Sequence, residues 1–365
     1  MPNKKILLAG GGTGGHVLPL VEVVRNIKRI APETKIYFIG PEEFSLDSLR
    51  AEGVIIKKIT AAGKIRRYFS WLYLWELIKL PFAFIQSLVI VATINPDVVL
   101  GKGSYGSVLP VLAAKLLGGK IILHESDAVP GLANRFLSRF ADHIALAFQE
   151  TKPYFESRTS EITVVGNPVR IKYLNMTKSE AEEILGLKPA KKIIFISGGS
   201  QGAKKINDII LQSLDQLLAE YSVIWSVGPS NYTNVRHRVS NIPDLRIAPL
   251  LNEKELAAAY ILCDIAIGRA GAGTIFELAA FGKPSILIPL ERKGGDQPLN
   301  ARAYAQNGSA IILKETQLTA SELLKTIKET LSDNNILENI AHQTKKFAKI
   351  EAGEQLAQIL LDLAK

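Results

Sequence analysis

The chain contains the same local pattern twice, and this repetition constrains its fold more than any other feature of the sequence. An apolar run, a glycine-rich turn and a helical stretch occur first as ILLAGGGTGGH and again as IIFISGGSQGA. Gly11 in the first copy and Gly198 in the second are 187 residues apart in a chain of 365. Each copy is typical of the strand, turn and helix that open a Rossmann-like unit. We therefore expect an α/β protein of two such domains, with parallel sheets facing a central cleft.

Apolar segments of strand length recur along the chain, between stretches with helical periodicity. The predicted strands are residues 6–9, 35–39, 97–100, 120–123, 193–197, 223–227, 265–268 and 285–288. Segments that are apolar throughout indicate strands covered by helices on both faces, as in parallel sheets. A Gly-Asn-Pro turn at residues 166–168 separates the two copies of the pattern. We therefore place the first domain at residues 1–165 and the second at residues 166–345.

Cysteine content and net charge indicate the compartment and the kinds of partner that suit the chain. Cys263 is the only cysteine, which excludes a disulfide framework and a cysteine metal cage and suits a reducing compartment. The segment MPNKKILLAGGG has too few apolar residues for the core of a signal peptide, so we expect a cytoplasmic protein. The formal net charge is +9, of which +6 falls in residues 1–165. A basic surface suits nucleic acid, anionic lipid or phosphorylated substrates alike.

Residues 68–94 are the most hydrophobic part of the chain. Four residues interrupt the run and argue against a transmembrane helix: Glu76, Lys79, Pro81 and Gln86. One interpretation is a buried helix of the first domain. The other is an interfacial patch that enters lipid headgroups beside cationic side chains. Its members would be Trp71, Tyr73, Trp75 and Phe82, with Lys64, Arg66 and Arg67 as the cations.

The first glycine loop formally contains the dinucleotide-binding pattern G-x-G-x-x-G, at Gly10, Gly12 and Gly15. An oxidoreductase would also need an acidic residue at the end of the second strand, where Gly40 and Pro41 stand instead. Further glycine-rich turns occur at residues 101–106, 197–202, 268–274 and 293–297. Because most of them follow predicted strands, they favour an anionic ligand at the carboxyl ends of the sheets over a single dinucleotide site.

Three acidic or basic residues near these loops are candidates for chemistry. Glu277 lies one helical turn beyond Thr274, where it could accept hydrogen bonds from both hydroxyls of a ribose, or serve only as a favourable acid in the first turn of its helix. His16 follows the first glycine loop and could act as a general base. Glu125, after the predicted strand 120–123, is the rival base. No Asp-x-Asp or His-x-x-x-His motif occurs, so we expect no metal and no cofactor.

Taken together, the motifs resemble those of a known family. GGGTGGHVLP, GKGSYGSVLP, LHESDAVPGLANR, VVGNPVR, SGGSQGAKKIN and RAGAGTIFELAAFGKPSILIPL occur in the order and spacing of the MurG family, in glycosyltransferase family 28. The resemblance implies a GT-B fold in which a C-terminal helix, residues 346–365, returns to the first domain. It also implies inverting transfer of N-acetylglucosamine from UDP-GlcNAc to the C4 hydroxyl of the MurNAc unit of lipid I, which gives lipid II and UDP in peptidoglycan synthesis.

The resemblance further implies which residues bind UDP-GlcNAc. Ser200 and residues 271–274 would contact the diphosphate, Leu251 the uracil and Glu277 the ribose, while Gln297 and Asn300 would read the sugar. The full set is Thr13, Gly14, Gly15, Asp127, Arg170, Ser200, Leu251, Ala272, Gly273, Thr274, Ile275, Phe276, Glu277, Asp296, Gln297 and Asn300. The implied partners are UDP-GlcNAc, lipid I and anionic phospholipid at the cytoplasmic face of the membrane, where the protein would bind peripherally. Nucleic acid is not an expected partner.

Two positions depart from the family pattern. The motif usually written HEQN reads His124-Glu125-Ser126-Asp127, so a carboxylate replaces an amide, and a pair of glutamines reads Asp296-Gln297. An ionised Asp127 near a diphosphate costs binding energy unless a cation or a sugar hydroxyl compensates it. Two alternatives stay open: a related GT-B transferase with another lipid acceptor such as diacylglycerol, and a non-catalytic, membrane-associated module that binds UDP-sugars. Release of UDP with and without lipid I would distinguish them.

Overall fold

The computed structural model describes most of the chain, in two compact units. The described residues are 4–11, 14–41, 46–59, 71–158, 160–188, 190–199, 202–239, 242–292 and 295–364, with the backbone alone for residues 71–78. The first unit is Met1–Val169 together with Ile350–Lys365, and the second is Arg170–Lys349. The chain passes from one unit to the other after Val169 and again after Lys349, in each case four residues beyond the predicted domain bound. Just before the first of these points, the backbone N–H groups of Val165 and Gly166 donate hydrogen bonds to Leu146 O, which holds this segment on the first sheet.

The first unit contains a parallel sheet of seven strands in the order β3-β2-β1-β4-β5-β6-β7. Its strands are β1 (Lys5–Ala9), β2 (Lys35–Gly40), β3 (Ile55–Lys58), β4 (Val98–Gly101), β5 (Lys120–Glu125), β6 (His143–Leu146) and β7 (Glu161–Val164). Its helices are α1 (Gly14–Ile30), α2 (Asp47–Ala51), α3 (Trp71–Ile94), α4 (Tyr105–Leu116) and α5 (Leu132–Leu137), with a 3-10 helix at Gln149–Tyr154.

The second unit repeats this architecture with six parallel strands in the order β10-β9-β8-β11-β12-β13. Its strands are β8 (Ile193–Ser197), β9 (Ser222–Ser226), β10 (Leu245–Ala248), β11 (Ile265–Gly268), β12 (Ser285–Leu287) and β13 (Ile311–Ile312). Its helices are α6 (Lys178–Leu185), α7 (Lys204–Glu220), α8 (Pro229–Arg238), α9 (Glu253–Leu262), α10 (Ala272–Phe281), α11 (Gln297–Ala305), α12 (Ala320–Ser332) and α13 (Asn334–Phe347). The predicted α/β class with two parallel sheets is confirmed.

The last helix, α14 (Ala352–Leu363), belongs to the first unit. Leu356 and Leu360 are fully buried in the core that also contains the apolar face of α1. Lys4 donates a hydrogen bond of 2.7 Å to the carbonyl of Leu361, and Arg29 pairs with Glu354 at 2.9 Å. The chain therefore leaves the first unit after β7 and returns to it at its C-terminal end.

The hydrophobic stretch at residues 68–94 forms α3 from Trp71 onwards. In the part of α3 whose side chains are described, Ala83 and Val91 are buried, whereas Phe82, Ile85 and Val89 are exposed. One face of the helix therefore packs on the sheet and another faces outward. Across the described ranges, no helix combines the length and hydropathy needed to span a bilayer.

Candidate active site

In the second unit, the turn between β11 and α10 presents a helix N-terminus. The end of β11 lies so close to β8 that a Cβ built on Gly268 would stand 2.4 Å from the carbonyl oxygen of Ser197, so only glycine fits. Gly271 is the N-cap of α10, and no described side chain caps the helix there. The backbone N–H groups of its first turn lack intrahelical acceptors, and the helix dipole favours an anion beside them. This turn can bind a phosphate group.

Glu277 follows in the same helix, and two side chains hold its carboxylate. Arg170 Nη2 donates to Glu277 Oε1 at 2.9 Å, and the Tyr260 hydroxyl donates to Glu277 Oε2 at 3.3 Å. Burial opposes the charge of Arg170, but the negative charge of Glu277 and the hydrogen bond between them raise the pKa of Arg170. Burial, and then the charge of Glu277, raise the pKa of Tyr260 far above its ordinary value, so its hydroxyl stays a donor. The carboxylate is held in one orientation, with lone pairs left for other donors.

Helix α11 is hydrogen-bonded to the turn between β11 and α10. Asn300 is fully buried and its side-chain amide donates to the carbonyl of Ala270 at 3.4 Å. Gln297 accepts a hydrogen bond of 2.9 Å from the backbone of Leu290, and Asp296 is the N-cap of α11. Of the predicted UDP-GlcNAc-binding residues in the second unit, the structure thus brings the 271–277 segment together with Arg170 and Asn300.

Other predicted donor-site residues differ in their accessibility. The side chains of Ile275 and Phe276 are buried in the core, so a contact with a ligand would have to come from their backbone. Leu251 is also buried, just after β10. Thr13 and Ser200 lie outside the described residues. These assignments stay predictions.

In the first unit, three chain segments meet at the carboxyl edge of the sheet. Strands β1, β4 and β5 are neighbours, and the backbone N–H of Lys102 donates to the carbonyl of Ala9 at 2.9 Å. The residues directly after the ends of the three strands therefore lie side by side, where α/β sheets bind ligands. His16 is half-buried in the first turn of α1, the helix that follows β1 in the chain, and Gly15 beside it is exposed.

Glu125, the rival base, is buried at the end of β5, and its carboxylate accepts three hydrogen bonds. The donors are the backbone N–H groups of Asp127 and Gly131, both at 3.0 Å, and the side-chain amide of Asn134 at 2.9 Å. Burial raises the pKa of Glu125, and these donors oppose the increase. Because it accepts these three hydrogen bonds, the Glu125 carboxylate orders the loop that carries Asp127.

A buried lysine lies at the centre of the same edge, and the sequence assigned it no role. Lys102 is 1% exposed. Its Nζ lies 2.5 Å from His124 Nδ1 and 3.1 Å from Asn167 Oδ1, and it also donates to the Ser126 hydroxyl. His124 Nε2 is 2.9 Å from the carbonyl oxygen of Gly166. The one feature of the sequence that could have indicated Lys102 is its position between two glycines, just beyond the predicted strand 97–100.

The second residue that sequence reasoning missed is Tyr260, which lies in α9 and gave no signal among the apolar residues around it. Within the described ranges, no three His, Cys, Asp or Glu side chains are grouped closely enough to hold a metal ion.

Both halves of the chain match sequence models of glycosyltransferase family 28. The N-terminal domain of that family matches residues 6–146, and the C-terminal domain matches residues 193–356. A relative from Bacillus cytotoxicus, named UDP-N-acetylglucosamine--N-acetylmuramyl-(pentapeptide) pyrophosphoryl-undecaprenol N-acetylglucosamine transferase, is 33% identical over 99% of this chain and 100% of its own length. The chain belongs to the MurG family. The predicted family is thereby confirmed, and the chain is a glycosyltransferase.

Solved structures agree with membership of the MurG family. MurG of Acinetobacter baumannii is 25% identical and superposes with a TM-score of 0.73 over 98% of this chain and 99% of its own. A UDP-GlcNAc 2-epimerase from Neisseria meningitidis, 15% identical, superposes with a TM-score of 0.71 over 98% of this chain and 100% of its own, which is a likeness of fold alone. The predicted GT-B fold is confirmed.

Proposed function

We propose that this member of the MurG family transfers N-acetylglucosamine from UDP-GlcNAc to the MurNAc C4 hydroxyl of lipid I, undecaprenyl-pyrophosphoryl-MurNAc-pentapeptide. The products are lipid II, for peptidoglycan synthesis, and UDP. The observation that carries the proposal is the 33% identity to the Bacillus cytotoxicus transferase over nearly the full length of both chains. The paired Arg170 and Glu277, with Glu277 on a helix whose N-terminus no described side chain caps, suit the donor.

The second unit would bind the UDP part of the donor. The first-turn N–H groups of α10 would receive the diphosphate, and Glu277 would accept hydrogen bonds from the ribose hydroxyls. Leu251 would lie near the uracil, and Asp296, Gln297 and Asn300 near the sugar. The same N–H groups would stabilise the charge that develops on UDP as it leaves, because fixed amide dipoles need no reorganisation.

We assign general-base catalysis to His16. The proton of the C4 hydroxyl would pass to the imidazole while O4 forms a bond to C1 of the sugar and the bond from C1 to the diphosphate oxygen breaks. Its electron pair would leave with UDP, and the single displacement inverts C1. Glu125 suits this role less well, because it is buried and its oxygens already accept three N–H donors. An imidazole can accept a proton near neutral pH, which suits a general base.

The acceptor is a lipid, and we propose that the first unit docks peripherally on anionic phospholipid at the cytoplasmic face of the membrane. Phe82, Ile85 and Val89 follow one another at helical spacing on α3, and all three are exposed. Phe82 is the one member of the predicted aromatic patch whose side chain is described, and it is 67% exposed. The net charge of +6 in residues 1–165 would add attraction to an anionic surface.

A turnover assay tests the reaction. UDP release from UDP-GlcNAc is measured with lipid I, with diacylglycerol and without an acceptor, and the product is analysed by NMR. Release that depends on lipid I, with a β-linked product, is the expected result. Release that depends on diacylglycerol would overturn the acceptor assignment. UDP binding without turnover on any acceptor would indicate a binding module.

A further inference from the structure

The contacts of His124 show that Lys102 is the hydrogen-bond donor between the two side chains. The carbonyl oxygen of Gly166 only accepts hydrogen bonds, so His124 Nε2 must carry the proton in their 2.9 Å contact. His124 Nδ1 is therefore a lone-pair acceptor for Lys102, at 2.5 Å. Burial, and then the charge of Lys102, lower the pKa of His124 well below its ordinary value, which keeps the ring neutral. Lys102 is thus the donor in this contact.

Three acceptors match the three N–H bonds of an ammonium group. Lys102 Nζ donates to His124, to the Ser126 hydroxyl and to the side-chain oxygen of Asn167. A neutral amine has only two N–H bonds, for His124 and Asn167, and its lone pair would have to accept from the Ser126 hydroxyl instead. The geometry therefore fits the charged form, although the side chain is buried and burial disfavours charge.

Nearby carboxylates provide the opposite charge. Glu125 and Asp127 both raise the pKa of Lys102, while burial, the larger influence, lowers it to about 7. Asp127 stands where the family motif usually has a neutral amide, and its backbone N–H donates to Glu125. Ser126, which accepts from Lys102, is the residue between these two acids. One cation thus serves a loop that carries two carboxylates.

We propose that Lys102 is a positioning residue whose buried ammonium group fixes the loop 124–127 and compensates the charge of Asp127, so that a carboxylate can stand beside an anionic nucleotide-sugar. The inference rests on the proposed function, because it takes Asp127 to be part of the donor site. The proposal explains why a buried lysine after β4 occurs in this chain together with an aspartate in place of the family's amide.

A double-mutant cycle tests the compensation. The affinity for UDP-GlcNAc is measured by calorimetry in the wild type, in Lys102→Met, in Asp127→Asn and in the double variant. Lys102→Met should lose about tenfold or more in affinity, and Asp127→Asn should restore at least about fivefold of that loss, within the range for interacting charged residues. Additive effects in folded variants would overturn the inference, since a residue that only supports the fold gains nothing from removing the carboxylate.

The pH dependence of binding provides a second readout. The groups that face Lys102 are His124, Glu125 and Asp127, of which His124 stays neutral. UDP-GlcNAc affinity should weaken as pH rises through the pKa of Lys102, about 7 in the free protein. Removing a nearby negative charge lowers the pKa of a lysine, so Asp127→Asn should move this transition to lower pH. An unchanged transition in Asp127→Asn overturns the inference even if Lys102→Met does not fold.

A matched lysine serves as the control. Lys120 is the first residue of β5 and therefore lies at the end of the strand opposite to Glu125. Its side chain is exposed and pairs with Asp142. Lys120→Met removes the same charge from the same sheet and should leave the pH transition of UDP-GlcNAc binding unchanged. An equal shift would mean that net charge, not Lys102, sets the transition. Because these measurements need no acceptor, a wild type that fails to use lipid I contradicts the proposed function alone.

Discussion

The carboxyl edges of the two parallel sheets carry opposite arrangements of charge. In the first unit the central group is the amine of Lys102, which is 1% exposed and donates to three neutral acceptors, with the carboxylates of Glu125 and Asp127 nearby. In the second unit it is a carboxylate, Glu277, whose side chain is 15% exposed and paired with Arg170. A fully buried charge serves to hold protein segments, whereas a partly exposed one keeps lone pairs for a ligand. Two copies of one architecture therefore support different tasks.

The largest effect expected from this contrast is on turnover. His16→Ala removes the proposed base from the first unit and should lower kcat by about 10²–10⁴-fold, the usual contribution of general-base catalysis. Donor affinity should change little, because the base acts on the acceptor. Stopped assays with lipid I and calorimetry with UDP measure the two quantities separately.

Glu125→Gln is the matched variant for this test. The amide keeps the size of the side chain and removes the charge. If His16→Ala keeps near-normal turnover while folded Glu125→Gln loses it, the base is Glu125 and the assignment to His16 is wrong.

Substitutions in the second unit should lower the affinity for UDP-GlcNAc. Glu277→Ala should weaken UDP-GlcNAc binding by about 1–3 kcal/mol, the scale for hydrogen bonds to a charged group. Tyr260→Phe removes only the donor that orients the carboxylate and should cost less, about 0.5–1.5 kcal/mol. Calorimetry on folded variants measures both, and an unchanged affinity in Glu277→Ala would remove Glu277 from the donor site.

The buried lysine should also be visible in the pH dependence of stability. The pKa of Lys102 is lowered to about 7 in the folded protein, from an ordinary value of 10.5. Between these values the unfolded chain binds more protons, so the free energy of unfolding should rise with pH. Relative to Lys102→Met, the slope should reach at most about 1.4 kcal/mol per pH unit.

Denaturant unfolding from pH 7 to 10 measures this slope. Lys120→Met, which changes an exposed lysine, should keep the wild-type slope. A slope of zero in the difference between wild type and Lys102→Met would mean that Lys102 has an ordinary pKa in the folded protein.

The smallest effect concerns the exposed face of α3, which belongs to the first unit. Phe82→Ser should weaken sedimentation with anionic liposomes by about 1 kcal/mol, or roughly fivefold, less than the free energy of burying a whole phenylalanine side chain. Trp71→Ser and Trp75→Ser should act in the same direction. High salt should weaken docking further, since exposed charges are screened.

Ile336, on α13 of the second unit, is the control for this face, because it is another exposed apolar side chain. Ile336→Ser should leave sedimentation unchanged. Equal losses for Phe82→Ser and Ile336→Ser would contradict docking through the first unit.

Strands were predictable where they are apolar and central in a sheet. All eight predicted segments form strands, with bounds that agree to within one residue except at the end of β5, which extends two residues further. The strands that the sequence did not predict are β3, β6, β7, β10 and β13. Four of these, β3, β7, β10 and β13, are the edge strands of the two sheets, and none of the five is longer than four residues. Four of them contain both polar and apolar residues, and β13 has only two residues, so hydropathy along the chain does not distinguish them from loops.

The sequence by itself determined the duplicated α/β pattern, the glycine turns, the family and Glu277 as a candidate, because these depend on neighbouring residues or on motif order. Only the tertiary structure decided the partners of the charged groups. Lys102 and Asn167 are 65 residues apart in sequence, and Arg170 and Glu277 are 107 apart. Whether such groups meet depends on how helices and strands pack, and packing also buries Lys102 and Glu125. Local periodicity contains no record of these contacts, since they form only when distant segments fold onto the same sheet edge.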